Sequence, residues 1–132
     1  MNLARPALVV AAVAAAAFAL SGCVAKADVS AGPVTVTSTD DSCDVSASTA
    51  MSGTLAFDVK NTGSQVSEFY LLADDGLRIV GEVENIAPGA SRTLTVVAQP
   101  GNYFTICKPG MIGAGIGKAS FAVSGDAVTI DG

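Results

Sequence analysis

From Val34 onward the apolar residues fall on alternate positions in short runs. Val34 and Val36 begin the pattern, followed by Leu55, Phe57 and Val59 in "GTLAFDVKNTG" and by Phe69 and Leu71 in "SEFYLLADDG". Leu77, Ile79 and Val83 continue it in "LRIVGEVENI", then Leu94 and Val96 in "SRTLTVVAQPG". "NYFTIC" and "GKASFAVSG", with Ala119, Phe121 and Val123, complete the series. A period of two is that of a strand with one face turned to a core. Each run ends in turn-forming residues, "NTG", "DDG", "APGAS" or "QPGN", whose Gly, Pro, Asn and Asp reverse the chain. About seven to eight strands predict an all-β, Greek-key β-sandwich. The same alternation puts Leu77 and Ile79 on the core side, and leaves "SGDAVTIDG" as an edge strand or a tail.

The beginning of the chain has a different pattern. "MNLARPALVVAAVAAAAFALSGC" carries one early cation, Arg5, then an apolar run from Ala7 to Leu20, then small residues. This is the layout of a secretory signal peptide, and the run falls short of the roughly 20 residues that span a bilayer. "LSGC", Leu20 to Cys23, resembles the bacterial lipobox. That resemblance implies cleavage before Cys23 and a lipid on its thiol, giving a protein anchored outside the cytoplasmic membrane rather than spanning it. The predicted organisation is a lipoprotein signal peptide over residues 1–22, a lipidated Cys and tether over 23–32, and one domain over 33–132.

Composition narrows the function. Seven Lys and Arg stand against twelve Asp and Glu, for a net charge of −5, and no basic cluster suits nucleic acid. The chain has no His, which removes Ser-His and Cys-His catalytic pairs and every imidazole metal ligand. No nucleophile has a recognisable base, so the protein is not read as an enzyme.

"PGNYFTICKPGMIGAGIGK" resembles the last hairpin of the cupredoxins, with a Tyr four residues before Cys107 and a Gly-rich loop ending in "GK". "NTGSQVSEFYLL" resembles the cupredoxin segment in which N-x-G precedes a His. Residues 34–124, most specifically "EFYLLADDGLRIVGEVENIAPGASRTLTV" and "CKPGM", are similar to the cupredoxin-like domain of EfeO-type iron-uptake lipoproteins. Complete proteins of that type continue into an imelysin-like domain with a His-containing motif. This chain is read as the cupredoxin-like part, free-standing or a fragment of a longer protein.

The resemblance permits a position-by-position test for blue copper, which needs two imidazoles, a thiolate and a weak axial thioether. The first His position falls on Ser67, the second on Gly110, and the plastocyanin-like Met position on Gly115, so no type 1 copper site is expected. The resemblance also brings Cys43, read as lying between the first two strands, toward Cys107.

Two uses of that pair stay open. Cys43 and Cys107, with Glu68, Met111 and Glu82, form a candidate site for a copper or iron ion; thiolates suit a soft ion and carboxylates a hard one. Met111 is read first as a loop residue packed over the core. Glu82 and Glu84, two apart, share a strand face, and Asp40 and Asp41 are further candidate carboxylates. Alternatively, Cys43 and Cys107 form a disulfide, favoured outside the cytoplasm, worth about 4 kcal/mol in the chain-entropy model. Lys108, next to Cys107, is a candidate for lowering its thiol pKa. The first use implies an accessory to metal uptake, with a permease or a haem peroxidase as partner. The second implies an interaction module of the cell envelope.

Overall fold

A computed structural model describes residues 32–130; the expected signal peptide, the expected lipidation at Cys23 and nearly all of the expected tether lie outside them. Nine strands follow in order: β1 Val34–Ser38, β2 Cys43–Val45, β3 Thr49–Met51, β4 Gly53–Asn61, β5 Ser67–Leu72, β6 Ile79–Ile86, β7 Ser91–Ala98, β8 Gly101–Cys107 and β9 Ile116–Ser124. A single 3₁₀ turn, Pro109–Met111, separates the last two. Among the described residues, no helix is long and apolar enough to cross a membrane.

The strands form two sheets, of order β2-β1-β4-β7 and β3-β9-β8-β5-β6. Both are mixed, because β1 lies parallel to β4 and β3 parallel to β9. The alternation seen in the sequence puts Val34, Val36, Phe57, Val59, Phe69, Leu71, Phe121 and Val123 between the sheets. Phe57 is the hinge of this core, with ring centroids 5.3 Å from Phe69 and 5.4 Å from Phe121. The extra strands beyond the expected count are β2 and β3. At three residues each, they are too short to show a period, and Cys43 opens β2 rather than sitting in a loop.

The expectation for Leu77 and Ile79 is corrected by the structure. Leu77 is 82% exposed and Ile79 50% exposed. Asp75 Oδ1 accepts hydrogen bonds from the amides of Leu77 (2.8 Å) and Arg78 (2.9 Å), which draws both residues into the turn. The β5–β6 pairing then slips, with Leu71 opposite Gly81 but Leu72 opposite Ile79. One extra residue in a strand reverses the face of everything beyond it. Ile79 therefore shares the outer face with Leu72 while Val83 faces inward with Phe69. Ala119 is exposed as well, and residues 125–130 form no strand.

The strand β5 is buried at all six positions. Its inward residues belong to the central core. Its outward residues Tyr70 and Leu72 join Ile106 and Phe104 in a second, smaller apolar cluster on the far side of the five-stranded sheet.

Candidate functional site

At one end of the sandwich, three loops converge: residues 39–42, 62–66 and 108–115. Asn61, 1% exposed, organises the middle one. Its Nδ2 donates to the carbonyls of Gln65 (2.7 Å) and Ile86 (2.8 Å), and its Oδ1 accepts from the amide of Gly63 (2.9 Å). Asp40 links the first loop to the second by accepting from the Ser64 amide at 2.8 Å and the Ser64 hydroxyl at 2.7 Å. These bonds, the hydroxyl first, hold its carboxyl below the usual carboxylate range. Sequence reading weighed Asp40 as a metal ligand; the structure gives its oxygens to a loop tie.

Beneath these loops Cys43 and Cys107 form a disulfide, with Cα atoms 5.5 Å apart across a sequence separation of 64. It ties β2 of one sheet to β8 of the other. Cys107 is fully buried and Cys43 nearly so. Gly117, at φ 63°, makes the approach possible, since a Cβ there would lie 2.6 Å from the Cys43 Cβ.

The three positions that the resemblance matches to copper ligands are filled or closed. Ser67, 1% exposed, turns inward and its hydroxyl bonds that of Ser38 across the sheets at 2.8 Å. A side chain at Gly110 would begin 2.7 Å from Gln65 Oε1, and one at Gly115 would begin 2.8 Å from the Cys107 carbonyl oxygen. The Gly110 amide is itself bound to the Val66 carbonyl at 2.8 Å. The residues present do not fit type 1 copper, by donor chemistry and by space.

The other proposed ligands separate from the sulfurs. Phe69 pairs with Cys107 and both face the core, so Glu68 and Tyr70, one residue to either side, face outward. Glu68 is 5% exposed, and its Oε2 accepts a hydrogen bond from the Tyr70 hydroxyl. Tyr70 stands directly opposite Glu82 on β6. Burial first, then the bond to Glu68 and the charges of Glu68, Glu82 and Glu84, raise the Tyr70 pKa above the ordinary tyrosine value. Glu82 and Glu84 are both exposed. Met111, expected to pack over the core, is instead 38% exposed at φ 57°. The five residues proposed from sequence thus divide into an inner sulfur pair, an outer carboxylate pair and an exposed loop residue. No group of three or more Cys, Asp or Glu side chains among the described residues is placed to hold a metal ion.

Lys108 is corrected in the same way. Its ammonium lies 4.8 Å from the centroid of the Tyr70 ring, on the face opposite the disulfide. Sequence reading missed Tyr70 and Lys118 altogether. The available signal was the run "FYLL", apolar in both phases, which marks a strand covered on both faces.

Comparison with known proteins agrees with this architecture. The chain is 38% identical over 74 residues to the iron uptake system component EfeO of Escherichia coli (strain K12) and, to the same extent, of Shigella flexneri. The aligned stretch covers 56% of this chain and 19% of those relatives, so the chain spans about a fifth of their length. The solved structure of Na-dithionite reduced auracyanin from Roseiflexus castenholzii shares the fold, with a TM-score of 0.53 at 20% identity, covering 69% of this chain and 95% of that one. Residues 9–116 match the cupredoxin-like domain family; with two β-sheets closed over one core and a cysteine on the penultimate strand, this chain belongs to it.

Proposed function

We propose that the protein is an extracytoplasmic, lipid-anchored accessory of a metal-uptake system, with a copper or iron ion as its cargo, and is not an electron carrier. The observation that carries this reading is the 38% identity over 74 residues to EfeO. The domain organisation proposed with it is a signal peptide over 1–22, lipidation at Cys23, a tether to residue 32 and the domain beyond. A permease or a peroxidase of the same system is the proposed partner.

The two faces of the site suggest two modes of holding cargo. In the disulfide form both cysteine sulfurs are consumed, and the donors left are the carboxylates of Glu68 and Glu82 on either side of Tyr70 and the exposed Met111 thioether. Reduction would add two thiols, which suit a soft ion. Elemental analysis of the mature domain after exposure to Fe(III) or Cu(I), oxidised and reduced, tests the reading. Stoichiometric metal is expected in at least one form and is expected to be lost in Glu68→Gln or in Cys107→Ser, respectively. Retention of neither ion in either form would overturn it.

The disulfide itself favours a second reading, an interaction module of the cell envelope that carries no metal. That alternative expects no free thiols in the isolated protein and no tight metal binding after reduction.

A further inference from the structure

The outer face of the five-stranded sheet carries a groove of about 360 Å³ beside the Glu68–Tyr70 pair. Its floor is Tyr70, Leu72 and Ile106, each 8% exposed or less. One wall is the hairpin carrying Leu77 and Ile79, and the other is the Gly113–Ala114 turn. Lys108 and Lys118 complete the lining.

Both lysines are held in place. Lys108 lies over the Tyr70 ring, and Lys118 lies 4.8 Å from the centroid of Phe104. The Lys118 ammonium also donates to the Gly76 carbonyl at 3.2 Å. Gly76 sits at φ 66°, and a Cβ there would collide with that ammonium. Carboxylates border the groove as well: Asp75 accepts from the amides of Leu77 and Arg78 while its charge acts on Lys118, and Glu68 accepts from the Tyr70 hydroxyl, with the charges of Glu82 and Glu84 also acting on Tyr70. In an acidic protein, two of the five Lys and Arg within residues 32–130 line this one groove.

We propose that the groove is a binding site for a small organic anion with a flat or extended apolar body. The apolar part lies on Tyr70, Leu72 and Ile106, and the anionic group is taken by Lys108 or Lys118. Recognition of this kind follows the common plan of an apolar pocket with a few convergent polar groups. The recessed floor favours a narrow ligand over a membrane surface, which would meet Leu77 and Ile79 at the rim and never reach Tyr70.

The probe is 2-naphthoate, with the uncharged 2-naphthamide as its isostere, titrated into the oxidised mature domain and followed by ¹⁵N–¹H chemical shifts. Saturable shifts are expected at residues 70–79 and 106–118, with the amide binding up to about fivefold more weakly, as loss of one exposed charge contact implies. At least one of Lys118→Met and Lys108→Met, which keep apolar stems in place, should weaken naphthoate by a similar factor. Lys60→Met, on the other sheet, should leave it unchanged. Equal binding of acid and amide, shifts elsewhere, or binding to phosphatidylglycerol vesicles without binding to naphthoate would each overturn the proposal. Unchanged dispersion of the variant spectra separates lost binding from lost folding.

Discussion

On the inner face of β5 and β8, Phe69, Leu71 and Cys107 are fully buried against the four-stranded sheet. On the outer face of the same strands, Tyr70, Leu72 and Ile106 border a groove shared with two lysines and open to solvent. The inner face holds the disulfide and the interlocked Phe57, Phe69 and Phe121 rings. The outer face holds the carboxylates, the phenol and the cations. The inner face is thus closed around apolar packing and the disulfide, while Glu68 and the Tyr70 phenol lie on the outer face. A two-residue repeat is sufficient to keep the two sets apart.

If the inner face is structural, the largest single loss should come from the disulfide. Reducing the domain, or replacing both Cys43 and Cys107 by Ala, is expected to lower unfolding free energy by about 4 kcal/mol in the chain-entropy model. Urea denaturation with and without reductant measures this. A loss below about 1 kcal/mol would mean that the bridge contributes little to the inner face and is maintained for its redox chemistry.

The neighbouring leucines provide the next comparison, since they differ mainly in which way they point. Leu71 is fully buried in the central core, and Leu72 is 8% exposed in the outer cluster. Leu71→Ala is expected to cost about 3 kcal/mol and Leu72→Ala about 2 kcal/mol, because an open site relaxes around a deletion more readily than a closed one. Equal costs in urea titrations would show that the outer cluster is a second core rather than the floor of a groove.

How much of this was legible in the sequence follows the same division. Phe57, Phe69, Leu71, Phe121 and Val123 are core residues, as alternation alone indicates, and the turn signals locate the hairpins. The direction of Ile79 was not legible, because a slip in pairing between Leu71 and Leu72 leaves no mark in a hydrophobic pattern. Nor was the separation of Glu68 from Cys107. Resemblance to a copper site draws residues near the lost ligands into one constellation, whereas the phase of β5 sends Ser67 inward and Glu68 outward. Ser67 was read only as a missing His; its bond to Ser38 joins residues 29 positions apart, a partnership no local pattern contains.

Tyr70 sharpens the outer face further. Tyr70→Phe removes the donor that Glu68 uses in a buried setting, at an expected cost of about 1.5 kcal/mol. Its ionisation offers an independent check in a Tyr103→Phe background, where Tyr70 is the only tyrosine left of two. Burial and the nearby carboxylates raise its pKa in the folded state, so the unfolded chain loses the proton first. The stabilisation is fully present below about pH 10, the ordinary tyrosine value, and falls as pH rises beyond it. Absorbance at 295 nm should show ionisation delayed above that value and coincident with unfolding. A normal titration would place the phenol in water and contradict the described outer face.

The smallest effects belong to two exposed carboxylates that hold loops. Asp40 ties the loops above the disulfide through Ser64, and Asp75 caps the amides of Leu77 and Arg78 at the edge of the groove. Both have pKa values lowered by these hydrogen bonds. A depressed folded-state pKa means that the unfolded chain takes up the proton first as pH falls. Each contribution is therefore present above the ordinary carboxylate value of about 4 and lost as pH drops through the folded one. In Asp40→Asn and Asp75→Asn, the decline of Tm between about pH 5 and pH 2 should be shallower than in the parent. The two variants should part in a second measurement. Asp75→Asn keeps an acceptor for the two amides but removes a negative charge that acts on Lys118 and should tighten 2-naphthoate, whereas Asp40→Asn, at the disulfide end, should leave it unchanged. Equal effects of the two on naphthoate would mean that the groove and the loop end are not independent regions.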